Sequence, residues 1–67
     1  MPLIHVTLLA GRSPQEVAAL GAALTAATHE TLGTPAEAVR VVVEQTPPDH
    51  WFVGGRSMAD RRRSAPS

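Results

Sequence analysis

Pro2, Arg12 and Arg40 are the residues whose types and positions are best suited to acid–base and anion-binding chemistry. Pro2 directly follows the initiator methionine, and proline is a small second residue of the kind methionine aminopeptidase processes. With Met1 attached, the Pro2 nitrogen is a tertiary amide and has no useful basicity. Removal of Met1 makes it a secondary amine at the chain terminus. Such a group titrates at about 7.7 to 8.0, and desolvation or nearby cations draw it toward neutrality. It is then a base matched to neutral pH. The plainer reading of Pro2 taken alone is a protected terminus or the start of an edge strand.

Arg12 follows Gly11 in a loop, and Arg40 stands between Val39 and Val41 in an otherwise apolar run. An arginine among valines is costly to bury unless paired. Glu44 shares its strand face but lies roughly 13 Å further along an extended chain, too far for a direct pair. A guanidinium is the side chain best shaped to hold a carboxylate by two parallel hydrogen bonds. A solvated loop charge for Arg12, and a solvated or ion-paired charge for Arg40, remain open beside that role. Trp51 and Phe52 are the chain's two aromatics, suited to a pocket wall or to packing at a subunit contact. His5, His29 and His50 have no metal-ligand spacing such as i, i+4, so no metal site is expected. Arg61-Arg62-Arg63 has no interleaved aromatics and reads as a solvated tail, with no nucleic-acid partner implied.

These residues are positioned by a short series of elements. Leu3 to Leu9 is a β-branched and aliphatic run too short for a helix, and it reads as a strand with both faces largely covered. Ser13-Pro14-Gln15-Glu16 predicts a helix start, with Ser13 as N-cap, Pro14 at the first position and Glu16 completing a capping box. Val17, Leu20, Leu24, Ala27 and Leu32 make its apolar stripe, with Gly21 and Thr28 on the same face. Gly33 and Pro35 end it. Thr34 to Glu37 suits one further turn. Val39 to Gln45 is a second strand, and the order strand, helix, strand predicts a right-handed parallel βαβ unit. Trp51-Phe52-Val53 entering Gly54-Gly55 predicts a short C-terminal hairpin or turn. Residues from about 62 to 67 are expected to fray.

At 67 residues, a single domain spanning 1–67 is the ceiling. A chain of this size buries only about 60% of its unfolded surface. Cysteine is absent, so neither a disulfide nor a thiolate metal site can staple the fold. An isolated two-stranded unit leaves sheet edges and one face open, and sharing a sheet with other subunits is the remaining means of stabilising it. Six arginines balance six carboxylates, leaving no broad field for nucleic acid or an anionic membrane. Lysine is absent, which excludes a lysine Schiff base. The N-terminal residues show no basic stretch and no apolar run long enough for a signal peptide or a membrane span, which predicts a cytoplasmic protein.

The chain resembles the 4-oxalocrotonate tautomerase family along almost its whole length. The resemblance is carried by Pro2 after the methionine, by the strand running into Gly11-Arg12-Ser13 and by the long helix closing at Leu32-Gly33. Val39-Arg40-Val41 and His50-Trp51 before Gly54-Gly55 complete it. It implies an α/β fold built from one βαβ unit and completed by oligomerisation into a hexamer, a trimer of dimers, with each site assembled from more than one subunit. It further implies a cofactor-independent isomerase that moves a proton between enol and keto forms of a small unsaturated 2-hydroxy or 2-oxo carboxylic acid. Pro2 would be the acid/base, Arg12 and Arg40 would bind carboxylate and developing oxyanion, and Trp51 would line the pocket. Two departures stand out: Trp51 occupies a position where phenylalanine is usual, and Phe52 one where glycine is more typical. Alternatives within the same superfamily are a hydratase, dehalogenase or decarboxylase using the same proline, or a non-catalytic subunit of a hetero-oligomer.

Overall fold

A computed structural model describes residues 1–64. Strand β1 (Leu3–Leu9) leads through a loop into helix α1 (Pro14–Leu32), and a 3₁₀ turn at Ala36–Ala38 precedes strand β2 (Arg40–Thr46). A second 3₁₀ turn, Pro48–His50, is followed by two short strands, β3 (Phe52–Val53) and β4 (Arg56–Ser57), and by helix α2 (Met58–Ser64). Strands β1 and β2 pair in parallel, from Leu3 opposite Arg40 to Leu9 opposite Thr46, with α1 as the crossover between them. The expected βαβ unit with a C-terminal hairpin is therefore the observed fold. The second strand begins one residue later than its valines indicate, because Val39 closes the 3₁₀ turn by donating its N–H to Ala36 O at 3.1 Å.

Helix α1 starts and stops where its caps dictate. Ser13 Oγ accepts from Glu16 N at 3.1 Å, while Glu16 Oε1 accepts from Ser13 N at 3.0 Å, so two orphan N–H groups are satisfied reciprocally. At the other end Gly33 adopts φ 72°, a left-handed conformation open to glycine without a Cβ penalty, and its N–H closes on His29 O at 2.9 Å. The turn after the helix carries no side-chain cap from Thr34.

The face that α1 turns toward the sheet consists of Val17, Leu20, Gly21, Leu24, Thr25 and Thr28, all half-buried. The two threonine hydroxyls there donate to carbonyls one turn back, Thr25 to Gly21 and Thr28 to Leu24, each at 2.8 Å. Two residues of the expected stripe fall outside it, since Ala27 and Leu32 are exposed. Ala27 lies at one flank of the inner face, about 80° around the helix from Val17, and Leu32 is the last residue of the helix. Opposite α1, the alternation of β1 and β2 places Ile4, Val6, Leu8, Val41 and Val43 on the more covered face.

The other face of the sheet is bare. Leu3, His5, Thr7, Arg40, Val42 and Glu44 are exposed there, whereas the sequence implies cover on both sides. His5 and Glu44 meet across the two strands at 3.3 Å between Nε2 and Oε1. Among the described residues Val39, still 9% exposed, is the only buried hydrophobic. The chain extends over 46 × 23 × 16 Å with a radius of gyration of 15.6 Å, against about 11 Å for a compact globule of this length. A protomer this extended holds too little core to be stable alone.

The C-terminal part is more ordered than a frayed tail. Gly54 and Gly55, at φ 61° and 82°, form the two-residue turn between β3 and β4 that favours positive φ at both positions. Buried Ser57 caps α2 by accepting from Asp60 N at 3.1 Å, and Met58 N donates to Trp51 O at 2.8 Å. Arg61, Arg62 and Arg63 are thus helical and exposed at the helix C-terminus, where positive charge suits the helix dipole. Arg63 pairs with Asp60, and Arg56 donates to Ser64. The remainder of the expected fray, residues 65–67, lies outside the described residues.

Candidate active site

The parallel register separates the candidate residues into two groups. At the entry end of the sheet, Arg40 N donates to Pro2 O at 2.9 Å, so Pro2 and Arg40 are backbone neighbours. The Arg40 side chain donates from Nη1 to Glu37 O at 2.7 Å. Arg40 lies on the exposed strand face without a carboxylate partner among the described residues, which sets aside an intrachain ion pair as its role.

Arg12 and Trp51 lie at the exit end. Ala10 N donates to Thr46 O at 2.8 Å, closing the ladder, and the chain then turns through Gly11 at φ 130° into Arg12. The side-chain carbonyl of Gln45 accepts from both Gly11 N and Arg12 N, at 3.2 and 3.3 Å, and fixes this loop to the end of β2. Beyond Thr46, the Pro48–His50 turn brings the aromatics back over the same end. Thr7, Thr46, His50, Trp51 and Phe52 line an open depression of about 340 Å³. Trp51 is half-buried and Phe52 exposed.

The six residue steps from Leu3 to Leu9 span about 20 Å in a parallel strand. Pro2 and Arg12 of one chain therefore stand further apart than a small substrate can reach. One protomer brings Pro2 together with Arg40, and Arg12 to the same end as Trp51, but not the two groups together.

Glu16 was assigned to the capping box from its spacing, and it has a second partner. Its Oε2 accepts from Arg12 Nη1 at 3.3 Å, an i, i+4 pair readable from the sequence. The Ser13 backbone N–H, followed by the Arg12 charge, holds the Glu16 carboxyl below its ordinary value of 4.5. A carboxyl with a depressed folded pKa stabilises the fold fully above its unfolded value, and that contribution is lost as pH falls through the folded value. The gap in thermal midpoint between the parent and Glu16→Ala, at fixed protein concentration, is accordingly expected to be widest above pH 4.5 and to close below it. A gap that does not change with pH would remove ionisation from the role of Glu16. Gln45 is the positioning residue that sequence reasoning missed. Its contact spans 34 residues, and no local signal marks it.

The three histidines sit on β1, α1 and the Pro48–His50 turn, and no group of three or more His, Cys, Asp or Glu side chains with metal-binding geometry occurs among the described residues. No helix among them is long and apolar enough to cross a membrane.

A strand that follows directly on Pro2 thus pairs in parallel, through a helical crossover, with a strand opening on Arg40. The family model described as tautomerase enzyme matches residues 2–61, and the chain belongs to the tautomerase family. A probable tautomerase of Ralstonia nicotianae is 51% identical over 82% of this chain and 79% of its own length. A probable tautomerase of Bacillus cereus is 38% identical over 91% of this chain and all of its own.

Among solved structures, TomN, a 4-oxalocrotonate tautomerase homologue in the tomaymycin biosynthetic pathway, is 81% identical and superposes with a TM-score of 0.91. That match covers 94% of this chain and 97% of TomN. A heterohexamer 4-oxalocrotonate tautomerase from Chloroflexus aurantiacus is 43% identical with a TM-score of 0.84, covering 90% of this chain and 97% of that one.

Proposed function

We propose that this chain is the subunit of a cofactor-independent tautomerase. It interconverts enol and keto forms of a small unsaturated 2-hydroxy or 2-oxo carboxylic acid, with the Pro2 amine as general acid/base after removal of Met1. The register carries this proposal: Pro2 and Arg40 stand at one end of the strand pair, Arg12 and Trp51 at the other. A complete site then requires the exit end of one subunit to meet the entry end of another. The bare sheet face and the near-absence of a core support such an assembly, and a homohexamer arranged as a trimer of dimers is its expected form. The heterohexameric relative supports that number of subunits. The 81% identity to TomN supports a substrate drawn from a biosynthetic pathway of the tomaymycin kind.

In the proposed reaction the neutral Pro2 amine takes the enol O–H proton, giving an ammonium and a conjugated enolate. The same proton is delivered to C3 or, through a conjugated diene, to C5. The ketone is formed and the amine regenerated, so no electron or group is gained or lost. Guanidinium groups beside the amine disfavour its charged form, and they stabilise the negative charge that develops on the substrate oxygen. Trp51 excludes water on one side, which strengthens both effects.

Two measurements test this on protein from its native host. Intact mass is expected to show the chain without Met1. Ketonisation of 2-hydroxymuconate, followed by ultraviolet absorbance, is expected to be catalysed by that form and not by a form with a blocked or extended N-terminus. Full retention of Met1 in an active sample would defeat the role of Pro2.

A further inference from the structure

Arg12 is held at two points. Gln45 fixes its main chain to the end of β2, and Glu16 takes one nitrogen of its guanidinium. The Glu16 carboxylate divides its oxygens between two partners: Oε1 accepts from Ser13 N at 3.0 Å, and Oε2 accepts from Arg12 Nη1 at 3.3 Å. Capping alone is served equally by glutamate or glutamine at this position of the helix. Serving both partners at once needs two acceptor oxygens, which a carboxylate has and a carboxamide lacks. The second bond does little for stability, because the Arg12 and Glu16 side chains are 65% and 55% exposed and such pairs are weak. Its effect is on posture. Nη1 is the guanidinium nitrogen on the Cδ side of the group. With Nη1 engaged, Nε and Nη2 have no partner among the described residues. Their parallel N–H bonds form the edge that receives two substrate oxygens side by side.

We infer that Glu16 is a positioning residue for Arg12, its second oxygen ordering the guanidinium before substrate arrives so that the Nε–Nη2 edge is presented. This rests on the tautomerase reading above and concerns the same site. Glu16 itself touches no substrate. A long side chain that must be ordered only on binding weakens affinity by about two- to tenfold. The loss falls on ground state and transition state alike, so it is read in KM and not in kcat.

The test is the steady-state ketonisation of 2-hydroxymuconate at neutral pH by the assembled protein lacking Met1. Glu16→Gln keeps the cap and removes the acceptor for Nη1. It is expected to retain the oligomer, to raise KM about fivefold and to leave kcat within about twofold of the parent. Ser13→Ala does the reverse, since it removes the hydroxyl that accepts from Glu16 N and leaves both oxygens of Glu16 in place. It is expected to lower the thermal midpoint with KM at the parent value. In an Arg12→Ala background, Glu16→Gln is expected to change KM by less than about twofold, because its effect acts through the missing guanidinium. An unchanged or lowered KM in Glu16→Gln, an equal rise in Ser13→Ala, or a rise that persists without Arg12 overturns the positioning role while leaving the tautomerase reading intact. Dissociation of the Glu16→Gln oligomer assigns the carboxylate to assembly and likewise overturns it. Failure of the parent to ketonise 2-hydroxymuconate overturns the tautomerase reading and the positioning role with it.

Discussion

Pro2→Ala is expected to lower kcat for ketonisation by about 10²- to 10⁴-fold, the range supplied by a positioned general acid/base, with the oligomer and its thermal midpoint little changed. Alanine at the processed terminus still provides an amine, so the loss measures more than the presence of a base. It measures the constrained secondary amine, whose ring fixes the nitrogen relative to the strand that follows. The Pro2 carbonyl accepts from Arg40 N at 2.9 Å, and this bond is retained by alanine. Strand entry is therefore preserved while the reacting nitrogen gains rotational freedom. An effect below about tenfold, in protein whose mass shows Met1 removed, would place the proton transfer elsewhere.

The second large effect concerns assembly. Arg12→Ala alone is expected to cost about 10²-fold in kcat/KM, in line with loss of one charged donor at a developing oxyanion. Mixing Arg12→Ala subunits with Pro2→Ala subunits, by joint denaturation and refolding, is expected to restore activity. If each site takes Pro2 from one chain and Arg12 from another, equal amounts of the two variants leave about one site in four with both native residues. Recovery of about a quarter of the parental rate is the expected result. No recovery in particles shown to be mixed would mean that both residues reach a site from the same chain, contrary to their separation along β1.

Much of this fold was legible because its signals are local. Ser13, Pro14 and Glu16 set the start of α1, Gly33 its end, and Gly54-Gly55 the hairpin, each through a cap or turn that depends on residues within a few positions. The helix α2 escaped, although Ser57 and Asp60 have the spacing of a cap, because the arginines that follow read as a solvated run. What holds α2 is tertiary: the burial of Ser57 and the bond from Met58 N to Trp51 O. The candidate residues were legible as types, but their grouping was not. That Pro2 stands beside Arg40 follows from strand register, and the Gln45 clamp on Gly11 and Arg12 joins parts of the chain more than thirty residues apart. The exposure of Ala27 and Leu32 shows the limit of a periodic pattern, which gives a stripe but not which neighbour it meets.

The seven-residue length of β1 has a genetic consequence under the proposed assembly. Because no single chain serves one substrate with both of its ends, duplicate copies of such a gene are free to diverge asymmetrically. One copy can lose its amine terminus and persist as a donor of arginine and aromatic wall, while the other keeps its proline and loses its loop. Selection would then act on the pair as a unit, with neither paralogue dispensable and neither active by itself.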